Sequence, residues 1–534
     1  MADQEVTSSS LVGMGLRQPL AERDEAAIIG FQQLFGGYRL WCLVIYSVLI
    51  LLVTGAIAVK RHLWWDEIVV YYIATLPNPN AMWDALLSGA DWQTPTYYFI
   101  LHYLSAWFGP SPLVLRSIAI IPYWLATLVL YFTVARRTSP LYGFLAMLFP
   151  SLTIAFNYSF EARPYALVLL FTACTFLSWQ LTKEERFRRF ALPALCVSLA
   201  ATVCVHYNAC LIVLPILAGE AVLALRKRRV DFPVLISIFS AALPVMLLLP
   251  HILTIKRFAA MFSADTNFEA LAEIYVVFFL RFMVLAAPIG TASIIWLALP
   301  RSRRHENGVL RPPENKLASP TIVAATTFLT LPIIYFALSF VTHTLHVRYV
   351  LETVIGAAIC FALALYSARH AVPHLAGIML VVLALGVSAY STKRLRGPDE
   401  TTWRTFAAYS ELFDRNNKAV YDSNNPLLLG GGSYLIVFHY GNEDLRRRSF
   451  YLISDPGVKI PWLTQFSRIT YTAFKSILPG QMQVPYYSSF LRQHEHFLVY
   501  DPEPWLLNQL VSDGYNVRVQ KVLEHGPLYS VTVK

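Results

Sequence analysis

Long apolar runs separated by short polar segments dominate the first 390 residues of the chain. A run of about 20 apolar residues is long enough to cross the hydrocarbon core of a membrane as a helix. Runs of this kind lie at 40–59, 112–134, 140–158, 164–181, 190–206, 208–225, 232–250, 280–299, 320–341, 349–366 and 372–390. The pattern predicts an all-α polytopic membrane protein with about 11 transmembrane helices.

The pattern changes after residue 391, where charged residues, Asn, Gly and Pro return and the apolar runs shorten. Runs of strand length lie at 419–422, 434–438, 450–453, 497–500, 517–522 and 529–533. Amphipathic patterns predict helices at 402–416 and 504–512. The three glycines at 430–432 lack the spacing of a dinucleotide-binding loop, and we interpret them as an ordinary loop. Residues 391–534 are therefore predicted to form an extramembrane α/β domain.

Composition supports a membrane protein, because 56% of the residues are hydrophobic and only 14% are charged, against about 25% in soluble domains. The net charge of +10 does not indicate a nucleic-acid partner, since most of the cations lie in short loops between apolar runs. All six cysteines lie inside apolar runs, so the sequence predicts neither a disulfide framework nor a zinc site.

The distribution of Lys and Arg predicts the topology, provided that 94–108 lies on the outer surface and does not span. The inside loops then hold sixteen Lys and Arg residues, or nineteen with the N-terminal tail, against seven in the outside loops. Residues 1–38 lack a basic segment leading into a short apolar core and are interpreted as a cytoplasmic tail. The predicted membrane domain is 39–390, with a first outer loop at 60–111, and 391–534 lies on the extracytoplasmic side.

Ionisable residues recur in the outer loops, directly beside apolar runs. Asp66 and Glu67 follow the first run, and Glu161 and Arg163 lie in a later loop on the same predicted side as Arg348. Ionisable residues at membrane depth are costly and often mark a site. A carboxylate there can act as a general base on a hydroxyl, and arginines and histidines can hold a phosphate leaving group. The set suits transfer of a group from a lipid phosphate to a hydroxyl acceptor.

Several stretches resemble motifs of the type C glycosyltransferases of the dolichyl-phosphate-mannose protein mannosyltransferase superfamily, whose bacterial branch includes aminoarabinose transferases. They are Trp65-Asp-Glu67, Gln93-Thr-Pro-Thr-Tyr-Tyr98, Ser159-Phe-Glu-Ala-Arg-Pro-Tyr165, Arg348-Tyr-Val-Leu351 and Trp403-Arg-Thr-Phe-Ala-Ala-Tyr409. The chain departs from the family pattern where Gln93-Thr94 replaces His-Pro and where Phe160 replaces an arginine.

The resemblance implies inverting transfer of a sugar from a polyprenyl-phosphate donor to an extracytoplasmic glycan, lipid or protein. Asp66 would be the base, and Glu67 would position it or the acceptor. The donor phosphate would be held by Arg163, Tyr165, His346 and Arg348, and the acceptor or the second outer loop would be supported by Glu161, Tyr97 and His102. Some relatives place a divalent metal between the first-loop and second-loop carboxylates and others do not, so no cofactor is assigned. The branch is located in the bacterial inner membrane, where lipids would surround the protein.

Two other functions fit the same residues. In a transporter or flippase, Asp66, Glu161 and Arg348 would line a substrate path, although the sequence shows no internal repeat of the kind common in transporters. In a structural or assembly protein, the outer domain would bind a partner.

Overall fold

The computed structural model describes residues 36–259, 267–298, 318–343, 345–369, 371–372, 374–397, 411–414, 417–421, 424–456, 458, 462–478, 480–523 and 526–533. Four features of the sequence lie mostly or wholly outside these ranges: the N-terminal tail, the basic loop at 301–316, the helix predicted at 402–416 and the motif at 403–409.

Helices form almost all of the described part of the N-terminal 397 residues. The membrane-domain helices are Arg39–Lys60, Pro112–Ala135, Pro140–Leu148, Tyr165–Leu181, Glu185–Val205, Val213–Lys227, Phe232–Phe239, Ala242–Leu247, Leu249–Ala259, Phe268–Ala298, Ala318–Leu329, Leu331–Thr342, Thr353–Ser367 and Leu375–Arg396. Short 3-10 helices lie at Phe149–Leu152, Ile154–Ser159, Tyr207–Ile212 and Val347–Val350.

Within the described residues, six helices are long and apolar enough to cross a membrane, and two bent pairs could each add a span. Three shorter apolar helices complete the set. Each of the eleven predicted runs overlaps one of these segments, so the polytopic membrane fold is confirmed. The chain is an integral membrane protein.

Several spans are broken at prolines, because a proline has no backbone N–H to donate and its ring clashes with the preceding turn. The run predicted at 140–158 ends as a helix at Leu148, and Pro150 lies in the 3-10 turn that follows. The run predicted at 232–250 is bent by 65° before Leu249. Its last segment continues to Ala259, with Pro250 in its first turn.

Three helices of the first outer loop form a layer over one end of the membrane domain: Trp65–Ala74, Pro79–Leu87 and Pro95–Phe108. The third has 14 residues and is not among the span candidates, as predicted for 94–108. Apolar side chains of this layer, including Ile68, Met82 and Leu101, share one core with residues of the C-terminal region such as Leu435 and Phe474. The layer therefore packs between the membrane helices and the C-terminal domain.

The C-terminal region contains a five-stranded sheet with helices around it. Its elements are the helices Lys418–Tyr421, Gly431–Tyr440, Glu443–Arg448, Trp462–Ile477, Tyr487–Leu491 and Pro504–Ser512, and the strands Leu427–Leu429 (β1), Ser449–Phe450 (β2), His496–Tyr500 (β3), Asn516–Leu523 (β4) and Gly526–Thr532 (β5). The strand order is β2-β1-β3-β5-β4. Strand β1 pairs in parallel with β2 and β3, whereas β5 is antiparallel to β3 and β4. The α/β class predicted for this region is confirmed.

The strand predictions were right for the last three strands and wrong for two earlier segments. Residues 419–422 lie in a helical turn, and 434–438 lie in the helix Gly431–Tyr440. That helix is buried on nearly every side, and a short apolar run of this kind looks the same in a buried strand and in a buried helix. At 450–453 only Phe450 belongs to a strand, and Ile453 forms an isolated bridge. The glycine loop was also wrong, since Gly431 and Gly432 form the first turn of the helix.

Candidate active site

The two adjacent carboxylates of the first outer loop lie in the first turn of the helix Trp65–Ala74. The chain leaves the first membrane helix at Arg61 in an extended conformation, and Trp64 is extended as well. The free N–H groups and the dipole of a helix N-terminus favour negative charge there. Since Asp66 and Glu67 are consecutive, their side chains point in different directions from the helix axis.

Glu67 is fully buried and fully paired. Its Oε1 accepts from Arg116 Nε at 2.8 Å, and its Oε2 accepts from Arg116 Nη2 at 2.6 Å. The backbone N–H of Ala162 also donates to Oε1, at 2.7 Å. Arg116 in turn donates to the backbone oxygens of Ala58, Arg61 and His62. Glu67 therefore joins the first outer loop to the helix Pro112–Ala135 and to the second outer loop.

Asp66 faces a different set of cations. Its Oδ2 lies 3.2 Å from Arg163 Nη2 and 3.2 Å from Arg348 Nη1. Arg163 also pairs with Asp91, with Nη1 3.1 Å from Oδ2, and Tyr98 donates its hydroxyl to the same carboxylate. Residues from four separate stretches of the chain thus meet at one place, as the predicted topology requires for Asp66, Arg163 and Arg348.

Four polar groups around this cluster are buried without a hydrogen-bond partner: Arg163 Nε, Arg348 Nε, Tyr97 Oη and Tyr165 Oη. Burial of an unpaired polar atom costs about 1–3 kcal/mol, so each such group in a native structure requires an explanation. All four can donate a hydrogen bond. Together they form a buried set of donors suited to an anionic, oxygen-rich ligand.

Glu161 differs from the other carboxylates because the described residues offer it neither a hydrogen bond nor an ion pair. Burial raises the pKa of its carboxyl from the ordinary value near 4.5 to about 7. Arg61 opposes that rise, whereas the negative charges of Glu67 and Asp66 add to it. Glu161 can therefore change its protonation state near neutral pH.

The histidines do not behave as permanent cations. Burial lowers the pKa of His346 to about 4 and that of His206 to about 3. His346 Nδ1 accepts from the backbone N–H of Arg348 at 3.4 Å and so caps the 3-10 helix that carries Arg348. A neutral His346 retains one ring N–H for a ligand. His102 Nδ1 is bound to the carbonyl oxygen of Ala74 at the far end of the helix that begins with Trp65, and the structure does not bring it into the Asp66 cluster.

Asp91 and Arg116 were not recognised as site residues from the sequence. Asp91 stands two residues before the stretch that begins at Gln93, and Arg116 was counted only as a basic residue of an outer loop. Their signal is retrospective, because each is an ionisable residue next to an apolar helix.

The C-terminal domain contacts the same loop from above. Leu63 N donates to Tyr440 Oη at 2.7 Å, and Trp65 Nε1 donates to Tyr471 Oη at 3.4 Å. Tyr72 Oη lies 3.2 Å from His439 Nδ1. These contacts hold both ends of the segment that presents Asp66.

Among the described residues, no group of three or more His, Cys, Asp or Glu side chains is placed to hold a metal ion. Asp66 is instead bound on one oxygen by two guanidinium groups.

Comparisons with known proteins identify the fold. No protein-family model and no curated protein sequence matches the chain. Two crystal structures of ArnT from Cupriavidus metallidurans are similar, one bound to undecaprenyl phosphate with a TM-score of 0.53 and one in the apo state with a TM-score of 0.54. Each is 12% identical, and the match covers 92% of this chain and 98% of ArnT. The chain therefore has the ArnT fold, which fits the superfamily that its sequence motifs resemble.

Proposed function

We propose that this protein is a membrane glycosyltransferase that moves a sugar from a polyprenyl-phosphate donor to an extracytoplasmic acceptor with inversion. The observation that carries the proposal is the buried set of unpaired donors on Arg163, Arg348, Tyr97 and Tyr165 beside Asp66. A phosphate group offers acceptor oxygens, and Arg holds it in a bidentate manner. The fold supports the same class of donor, since ArnT was crystallised with undecaprenyl phosphate.

In the proposed reaction, the acceptor hydroxyl attacks the anomeric carbon of the sugar from the face opposite the phosphate. A new carbon–oxygen bond forms, the bond from the anomeric carbon to the phosphate oxygen breaks, and polyprenyl phosphate leaves. Asp66 accepts the hydroxyl proton. Arg163 and Arg348 stabilise the charge that develops on the departing phosphate.

Donor binding would also prepare Asp66 for this role. Without a donor, both guanidinium groups face Asp66 Oδ2. A donor phosphate would compete for them, and Asp66 would then be less neutralised and better able to accept a proton. This order predicts that the donor binds before the acceptor hydroxyl is activated.

Glu67 acts through its neighbours, because its carboxylate is fully occupied by Arg116 and Ala162. It would hold the helix turn that presents Asp66. Glu161, half-buried and without an ion-pair partner, would contact the acceptor or support the second loop. Tyr97 and Tyr165 would add hydroxyl donors to the bound phosphate.

We further propose that residues 39–390 form the membrane domain of a bacterial inner-membrane protein, with 391–534 on the extracytoplasmic side. Lys60 Nζ donates to the carbonyl oxygen of Leu395 at 2.8 Å. The last membrane helix therefore ends at the same end of the bundle as the helix that leads to Asp66. That end would be the outer one.

The test compares envelope glycans, lipids and proteins by mass spectrometry in cells with and without this protein. The proposal predicts that one sugar modification disappears and that its polyprenyl-phosphate donor accumulates. Purified protein in lipid nanodiscs should then restore the modification with that donor and the identified acceptor. If purified protein moves a lipid-linked sugar between leaflets and transfers nothing, the transferase proposal is wrong.

A further inference from the structure

A second group of cations lies in the membrane domain away from Asp66, and its central residue is Arg281. Arg281 lies within the membrane-span candidate Phe268–Ile289 and is half-buried. Its Nη1 donates to the carbonyl oxygen of Thr153 at 3.2 Å, and its guanidinium carbon lies 4.2 Å from the centre of the Tyr390 ring. Within the described residues, no carboxylate pairs with Arg281. Its guanidinium has five N–H donors, and four of them have no hydrogen-bond acceptor in this part of the chain.

The neighbours of Arg281 add positive charge and neutral hydrogen-bonding groups. Arg394 Nε donates to Tyr390 Oη at 3.0 Å, and Arg394 Nη2 donates to Asn157 Oδ1 at 2.9 Å. Tyr390 Oη donates to the same Asn157 oxygen at 2.7 Å. The Arg394 guanidinium carbon lies 5.4 Å from the Tyr390 ring centre. We call Asn157, Arg281, Tyr390 and Arg394 the Tyr390 cluster.

The Tyr390 cluster lies at the same end of the membrane domain as the candidate active site but is separated from it by aromatic rings. Phe156 contacts Tyr390 at a centroid distance of 5.6 Å, and Phe160 contacts Phe156 at the same distance. Arg61, beside the Asp66 loop, lies over the other ring, Phe160, at 5.0 Å. An anion at the Tyr390 cluster would therefore occupy a different place from the donor phosphate.

The helix that carries Arg281 is open to lipid next to the cluster. Leu280, Met283 and Val284 are exposed on it, with 54–63% of each residue accessible. In a membrane protein, large exposed apolar side chains on a spanning helix face acyl chains. A lipid lying against these side chains would have its headgroup close to a guanidinium that lacks a counter-ion.

We propose that the Tyr390 cluster binds the phosphate headgroup of an anionic membrane lipid, at a site separate from that of the sugar donor. An unneutralised guanidinium at membrane depth is costly unless an anion or hydrogen-bond acceptors compensate it. A phosphodiester supplies both, and the fork of Arg281 can hold two of its oxygens. Arg394 and the hydroxyl of Tyr390 add charge and polarity on one side of the site.

Native mass spectrometry of the purified full-length protein, equilibrated with phosphatidylglycerol or phosphatidylcholine, tests the proposal. The wild type should retain phosphatidylglycerol in preference to phosphatidylcholine. Arg281→Gln should weaken that retention about tenfold or more, because it removes a charge-assisted contact. Arg281→Lys, which keeps the charge but loses the fork, should be intermediate. Equal retention by the wild type and Arg281→Gln would overturn the proposal.

Three further comparisons separate this site from other sources of the same result. Arg189→Gln removes an exposed guanidinium stacked on Phe190 elsewhere in the membrane domain, and it should not change the retention. Arg348→Lys should also leave it unchanged, and a loss there would place the lipid in the donor site and refute the proposal. Inorganic phosphate should not displace the lipid, and complete displacement would show a site for free phosphate instead. Unfolding midpoints verify that each variant is folded, and Arg281→Lys carries the test if Arg281→Gln is not.

Discussion

Asp66 and Glu67 are consecutive carboxylates of the same chemistry, yet their surroundings assign them different work. Glu67 is enclosed by Arg116 and a backbone N–H and has no free oxygen for a substrate. Asp66 retains partial exposure and shares its guanidinium partners with the proposed phosphate position. Of the two roles considered for Glu67, the geometry fits positioning.

Asp66→Asn should lower turnover by about 10²–10⁴-fold, because the amide cannot accept the proton of the acceptor hydroxyl. Expression, the unfolding midpoint and donor binding should stay near wild type. A purified transfer assay together with a donor-binding titration measures both parts. Full activity in Asp66→Asn would exclude Asp66 as the base.

Glu67→Gln provides the matched comparison at the neighbouring residue. It leaves the buried Arg116 without its counter-ion, and breaking a buried ion pair in this way costs about 3–5 kcal/mol. Its main effect should therefore be a lower unfolding midpoint. A variant with wild-type stability and greatly reduced turnover would instead indicate direct participation of Glu67 in the reaction.

Arg348→Lys should raise the donor concentration needed for half-maximal rate and leave the acceptor dependence nearly unchanged. Lysine replaces the fork of arginine with a single point charge, and Arg348 has a buried Nε without a partner that a phosphate oxygen could use. Separate donor and acceptor titrations of purified protein distinguish the two effects. An unchanged donor titration would remove Arg348 from the site.

Glu161 predicts a pH dependence of stability. Because its pKa is raised to about 7 in the folded protein from an ordinary value near 4.5, the folded state holds a proton that the unfolded chain has already released between those pH values. The free energy of unfolding should therefore fall as pH rises from about 4.5 to 7. The unfolding midpoint should fall less steeply over this range in Glu161→Gln, as measured in detergent. Glu443→Gln, at an exposed ion pair with Arg447, is the control, and parallel curves for wild type and Glu161→Gln would contradict the assignment.

At the scale of elements, the spans are interrupted where the chain has prolines, and close helix contacts depend on small residues. The helix Thr353–Ser367 packs against Ala318–Leu329 at Gly356. A Cβ built on Gly356 would lie 2.5 Å from the backbone oxygen of Ala325 and 2.3 Å from Cβ of Phe328. The two helices can approach this closely only because Gly356 has no side chain.

Gly356→Ala should lower the unfolding midpoint, because the backbone of a neighbouring helix cannot move aside without repacking the interface. Gly55→Ala is the matched control, since nothing lies within 4 Å of its added Cβ. In that helix, alanine should be neutral or stabilising by about 0.5–1 kcal/mol, because glycine is the poorer helix former. Equal midpoints for the two variants would show that the contact at Gly356 does not limit stability.

At the scale of the whole molecule, the site is assembled from three layers. The ends of the membrane helices supply Arg163 and Arg348, the first outer loop supplies Asp66, and the C-terminal domain holds that loop through Tyr440 and Tyr471. One face of the C-terminal sheet thus belongs to the same core as the outer-loop helices.

Reporter fusions at Leu395 and Lys316 should report opposite sides of the membrane. The expected result has Leu395 outside and Lys316 inside, because the inside loops carry sixteen Lys and Arg residues against seven outside. A cytoplasmic signal from both positions would refute the orientation and, with it, the extracytoplasmic location of the proposed reaction.

Sequence alone was sufficient for the spans, the α/β class of the C-terminal region and the grouping of Asp66, Arg163 and Arg348. Span-length apolar runs and loop charge carry those features locally, so they can be read without knowing the packing. The pairing of Glu67 with Arg116, the role of Asp91 and the lone position of Glu161 were decided only by tertiary structure. Each depends on which side chains meet across distant segments, and burial then sets whether a carboxylate is paired, saturated or close to neutral. The helix at 434–438 was misread for a related reason, because an apolar run does not reveal which elements enclose it.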